Sequence, residues 1–116
     1  MKLPNAHLAL VEQTKVCDYL LNPAHRFGAS KARFFAVFGF TLDNWDVLAV
    51  ALKEHGMQNE IARVRETGFG PRYEIDGELA APDGRRPSVR TVWQVDSGQD
   101  APRLITAYPL ETIHDS

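Results

Sequence analysis

The hydrophobic spacing of this chain changes period once, at Gly56. Before it, apolar residues recur at three and four positions: Val16, Tyr19 and Leu20, then Trp45, Leu48, Ala49 and Leu52. After it they alternate. Tyr73, Ile75 and Leu79 stand against Arg72, Glu74, Asp76 and Glu78, and Val89, Thr91, Trp93 and Val95 against Arg90, Val92 and Gln94. The first spacing puts one stripe on a helix, and the second puts one face on a strand. Helices gathered ahead of strands predict an α+β fold and argue against βαβ units. The turn clusters Gly68-Phe69-Gly70-Pro71, Pro82-Asp83-Gly84 and Asp96-Ser97-Gly98 join the strands closely enough for a four-stranded antiparallel meander. N-terminal helices then cover one sheet face and leave the other partly open.

The expected helices are Glu12–Leu21, ended by Asn22-Pro23, then Ser30–Phe38, then one from Thr41 or Asp43 to Gly56. Ser30 is a candidate cap, with Phe34, Val37 and Phe38 facing the core. Gly56 sits where a glycine ends a helix. The expected strands are Asn59–Thr67, Arg72–Ala80, Pro87–Val95 and Arg103–Leu110. Met1–Leu10 reads as a lead-in, and Glu111–Ser116 as a frayed tail. With no repeat and no linker, residues 1–116 read as one domain, helices over about 12–56 and sheet over about 59–110.

With 44% hydrophobic and 24% charged residues among 116, the chain can bury an ordinary globular core. No apolar run approaches the ~20 residues that cross a bilayer, so no membrane partner is expected. MKLPNAHLALV does not read as a secretory signal, and a single cysteine, Cys17, excludes an internal disulfide and fits a reducing cytoplasm. One cysteine also excludes zinc sites that need several. No Walker loop, dinucleotide fingerprint or HExxH pattern is present, so neither cofactor nor metal is expected. Net charge is −2, which gives no global attraction for nucleic acid. Residues 1–58 hold six basic and five acidic side chains, and residues 59–116 seven and ten. Those seven are all arginines: Arg63, Arg65, Arg72, Arg85, Arg86, Arg90 and Arg103. Their planar forks suit phosphate, or they pair with the nearby carboxylates on a solvated sheet face.

The stretch YLLNPAHRFGASKARFF, residues 19–35, concentrates the chemistry. His25 lies in a loop held by apolar residues on both sides, and an imidazole titrates near neutral pH, as a general acid or base must. It serves equally as a loop residue bonded to the backbone. Lys31, at the start of the second helix, can reinforce the amides there toward an anion or be a solvated lysine. Gly28 permits close approach of a ligand. Thr106 and Tyr108 share a face of the last strand. If Arg90 opposes Tyr108, then Arg90, Gln94, Thr106 and Tyr108 line one face, and Val89, Trp93, Val95, Ile105 and Ala107 the core face. A slip of one residue would bury Thr106 and Tyr108 instead. His7, His55 and His114 have no partner at metal-ligand spacing, and His55 reads as a favourable contact at a helix C-terminus.

YLLNPAH…G.SKARFF.VFGF, the tryptophan-bearing helix, RETGFGPRYE, PDGR and the closing ITAYP resemble a family of small prokaryotic domains of unknown function over nearly the whole chain. The order of elements and the closing T-x-Y strand are similar, more distantly, to the metal-independent RNase toxins that include barnase, the EndoU nucleases, colicin E5 and RelE. That resemblance implies helices on a four-stranded antiparallel sheet whose open face holds RNA. It implies ribonuclease activity, and joined to the residue types above it gives a toxin-type ribonuclease in which His25 is general acid or base, Lys31 and Arg90 hold the phosphate, and Thr106 and Tyr108 position the substrate. It also implies a small neighbouring antitoxin or immunity protein as partner. The competing reading is a non-catalytic interaction module that uses the open sheet face or an edge of the first or last strand. A small-molecule site between loop and sheet is a third.

Overall fold

The computed structural model describes residues 1–110, so the tail from Glu111 and His114 lie outside the described residues. A 3-10 turn, Ala6–Leu8, and three further helical segments precede four strands, as the change of period requires. Helix α1 (Gln13–Lys15) runs directly into a π-helical turn, Val16–Leu20, closed by the Leu21 amide on the Val16 carbonyl at 2.8 Å. Helix α2 spans Ala29–Val37. A 3-10 turn, Leu42–Asn44, leads into α3, Trp45–Gln58, and the Thr41 amide bonds Asn44 Oδ1 at 2.7 Å ahead of it. Strands β1 (Ile61–Thr67), β2 (Gly70–Glu78), β3 (Ser88–Gln94) and β4 (Arg103–Pro109) pair in that order, all antiparallel.

The helices bury Val16, Leu20, Leu21, Phe35, Leu48 and Leu52 against Ile75, Leu79, Val89, Trp93, Leu104 and Ala107. Four expectations change here. Phe35, not Val37, is the core residue of α2, and Val37 is 63% exposed. Ser30 lies inside the first turn of α2, and Gly28 stands at the boundary in its place. Gly56 does not end α3. It lies within it against the Trp93 indole, where a Cβ would stand 2.7 Å from Cζ2. His55 is a core residue, 2% exposed, rather than a surface contact with the helix end.

The His55 ring is fully bonded. Its Nε2–H donates to the Val89 carbonyl at 2.8 Å and lies 3.2 Å from that of Gly77. Its Nδ1 accepts from the Thr91 hydroxyl at 3.0 Å, and that hydroxyl accepts in turn from Trp93 Nε1 at 2.9 Å. Burial pushes the His55 pKa below its ordinary value, against the two carbonyls, which raise it. One neutral tautomer therefore ties α3 to β2 and β3.

The expected register holds where it matters. Arg90 pairs with Tyr108 and Val92 with Thr106. Beyond them a bulge shifts the pairing, so that Trp93 opposes Leu104 and Ile105 is the extra residue. Leu104 therefore enters the core, and Ile105, expected there, is half-buried. Val95 lies just past β3 and is half-buried as well.

The lead-in also does more than expected. Leu3 and Ala9 are buried, and Leu10 bridges the start of β4: its amide bonds the Pro102 carbonyl at 2.8 Å, and its carbonyl accepts from the Leu104 amide at 2.9 Å. Lys2 bridges Glu60 beside β1, and the Ile61 amide bonds the Met1 carbonyl. One end of each edge strand is thus covered. None of the described helices is long and apolar enough alone to cross a membrane.

Candidate functional site

The π-helical turn places Tyr19 where the loop, α2 and β4 meet. The Tyr19 hydroxyl and the Thr106 hydroxyl are 2.9 Å apart. The His25 ring stands edge-on to the Tyr19 ring with centroids 5.0 Å apart. Two ammonium groups flank the same ring, Lys15 Nζ at 5.2 Å and Lys31 Nζ at 5.5 Å from its centroid. His25, Lys31 and Thr106, far apart in sequence, thus converge on one phenol. Tyr19 was legible only as part of the apolar helix stripe. Its position in a π turn depends on backbone hydrogen bonds that residue spacing does not report.

The loop is rigid for local reasons. Asn22 Oδ1 accepts from the Ala24 amide at 2.9 Å, and His25 Nδ1 accepts from the amides of Phe27 at 2.9 Å and Gly28 at 3.0 Å. Lys31 Nζ donates to the Phe27 carbonyl at 3.1 Å. Gly28 is buried against the Tyr19 carbonyl, close enough that a Cβ would clash, so its small size serves packing and not a ligand. The two amide bonds put the neutral His25 proton on Nε2, which makes that nitrogen a hydrogen-bond donor.

Arg90 is on the face predicted for it, opposite Tyr108, but two carboxylates hold it. Its Nε and Nη2 bond Asp76 Oδ1 at 2.6 Å and Oδ2 at 2.9 Å, and Nη1 lies 3.1 Å from Glu74 Oε1. The Asp76 fork is the main cause of a raised Arg90 pKa, with Tyr108 adding to it. Glu74 is 5% exposed, also touches Arg65 at 3.4 Å, and its Oε1 has no aligned hydrogen bond. Arg85, Arg86 and Arg103 pair likewise with Asp83, Glu78 and Asp96, and Arg72 Nε donates to Gln94 Oε1 at 3.0 Å. Most arginines of the second half are therefore paired within the sheet and its turns. Gln94, expected on an accessible face, is only 1% exposed. Among the described residues no group of three His, Cys, Asp or Glu side chains is placed to hold a metal ion.

Two centres result: a cationic, hydroxyl-bearing cluster around Tyr19, and an arginine–carboxylate layer around Glu74. The model of one family covers residues 2–111. The chain belongs to that family, described as Domain of unknown function (DUF6883). No curated protein matches it significantly. Among solved structures it resembles a chain of the contact-dependent growth inhibition toxin–immunity protein complex from Klebsiella pneumoniae 342. The TM-score is 0.69 at 16% identity, over 92% of this chain and 97% of that one. At that identity the likeness establishes a shared fold, and the α+β reading stands.

Proposed function

We propose that this chain is a toxin-type ribonuclease that works without a metal and is centred on Tyr19. The observation that carries the reading is the convergence of His25, Lys31 and Thr106 on the Tyr19 ring and hydroxyl. The likeness to a chain of a growth-inhibition toxin–immunity complex adds support. In such cleavage the 2′-hydroxyl attacks the phosphorus, loses its proton, and expels the 5′-oxygen, which gains one. The His25 Nε2–H and the Lys31 ammonium suit the charge that grows on the phosphoryl oxygens. The Tyr19–Thr106 hydroxyl pair, each able to accept and donate, relays the proton lost by the attacking 2′-hydroxyl to the leaving 5′-oxygen, and Tyr108 on the same strand face positions the substrate. Arg90 is better assigned to holding Tyr108 and Asp76 than to holding phosphate. The partner expected for such a protein is an immunity or antitoxin protein, and its place of action is the cytoplasm.

The test is cleavage of total RNA by purified protein in excess EDTA, with Tyr19→Phe and Thr106→Val alongside. Cleavage by wild type, reduced by about two orders of magnitude in either variant, supports the assignment. Equal cleavage by all three discards the centre. One observation favours a second reading, a non-catalytic interaction module: the arginines nearest the middle of the sheet already have carboxylate partners. A chain that expresses without harm in an unprotected host, and cleaves no RNA, would move the choice to that module.

A further inference from the structure

The backbone of Phe27 is pinned while its ring is 66% exposed. Its amide and the next one donate to His25 Nδ1, and its carbonyl accepts from Lys31 Nζ. Behind it, Gly28 is wedged against the Tyr19 carbonyl. Leaving an apolar ring in water forgoes the stabilisation that burial gives, and here the backbone is also fixed. One neighbour is cationic and one aromatic. The Arg26 guanidinium lies 5.3 Å from the Phe27 ring centre, and the His25 ring lies 6.2 Å from it. Residues 13–40 hold four basic side chains, Lys15, Arg26, Lys31 and Arg33, against one acidic, Asp18, in a chain whose net charge is −2. Of these, Arg26 lies against the Phe27 ring and Lys31 against its carbonyl, which puts positive charge beside the presented ring.

A rigid aromatic surface flanked by cations fits a planar ring joined to a phosphate. We propose that Phe27 is a stacking platform for an unpaired base beside the scissile phosphate, with Arg26 on the adjoining phosphate. The substrate class is then single-stranded or looped RNA, since a base within a duplex keeps both faces stacked. This deepens the ribonuclease reading and rests on it. The path from Phe27 through the His25 ring to Tyr19 and Thr106 is continuous in space.

The test separates binding from cleavage. Binding is read by anisotropy of a labelled 2′-O-methyl RNA of about 12 nucleotides, which cannot be cleaved, alone and annealed to its complement, at about 50 mM salt. Wild type, Phe27→Ala and Phe27→Tyr are compared, with thermal unfolding as the control for folding and cleavage of unmodified RNA in EDTA as the second readout. Phe27→Ala should weaken single-strand binding about tenfold or more, Phe27→Tyr should restore it, and duplex binding should be the same in all three. Single-strand binding within twofold of wild type in a folded Phe27→Ala overturns the platform and leaves a protein partner as the occupant of the ring. Binding that depends on Phe27, without any cleavage by wild type, keeps the platform and overturns the ribonuclease reading. Cleavage with binding that ignores Phe27 overturns the platform alone. No binding by wild type overturns the platform, and the ribonuclease reading with it where cleavage is absent as well.

Discussion

Replacing Thr91 by valine tests whether the buried His55 network holds helix to sheet. The two side chains have nearly the same volume, so no cavity opens. What is lost is one hydroxyl at a position with 0% exposure. That hydroxyl donates to His55 Nδ1 at 3.0 Å and accepts from Trp93 Nε1 at 2.9 Å. Without it, one donor and one acceptor are stranded in the core, and each costs about 1–3 kcal/mol. The expected destabilisation is therefore about 2–6 kcal/mol, a large share of the roughly 5–15 kcal/mol of a typical domain. Thr91→Ser keeps the hydroxyl and removes a methyl group, for about 1 kcal/mol. Urea unfolding followed by tryptophan fluorescence near pH 7.5 gives both values. A loss below about 0.5 kcal/mol in Thr91→Val, or a larger loss in Thr91→Ser than in Thr91→Val, refutes the network as a source of stability.

Acidification acts on the same ring. Because burial lowers the native His55 pKa, the unfolded chain binds the proton first. Stability is then complete above about pH 6.5 and falls below it by up to about 1.4 kcal/mol per pH unit, until the native ring titrates. An imidazole that titrates at or above its ordinary value in the folded protein, followed by NMR, would falsify this. Gly56→Ala sets a helix-propensity gain of about 1 kcal/mol against overpacking of about 1–3 kcal/mol, because the new Cβ would stand 2.7 Å from Trp93 Cζ2. A net drop in melting temperature is expected, and a rise would show that the indole can move aside. Gly28→Ala should displace the His25 loop from Tyr19 and reduce any RNA cleavage as strongly as Tyr19→Phe, and it should also lower the unfolding midpoint, because the new Cβ would collide with the backbone carbonyl of Tyr19, an overpacking of about 1–3 kcal/mol; an unchanged midpoint would show that the loop moves aside freely. Arg90→Met should cost about 2 kcal/mol or more by leaving Glu74 buried beside only one arginine, and a stability equal to wild type would show that the Glu74 carboxylate does not depend on that pair.

The sequence by itself determined the class and order of this fold. The change of period at Gly56 is a property of side-chain spacing, and burial of apolar faces acts directly on that spacing. The face of the last strand was legible only as a choice: pairing Arg90 with Tyr108 puts Val89, Trp93 and Ala107 on the core side and a slip of one residue does not, and the structure takes the first. Tertiary structure alone decided the rest. The bulge at Ile105 exchanges it with Leu104 in the core, and no local residue announces an extra position in a strand. Gly56 looks like a helix terminator until the Trp93 indole is seen lying against it. The partners of the arginines depend on which carboxylates pleat beside them. Arg90, read as a phosphate ligand, meets Asp76 across the strands because charge is satisfied in space, not along the chain. Tyr19 is the clearest case. Spacing gave it to the core, and one π-helical turn brings its hydroxyl to Thr106 and its ring to His25 and Lys31.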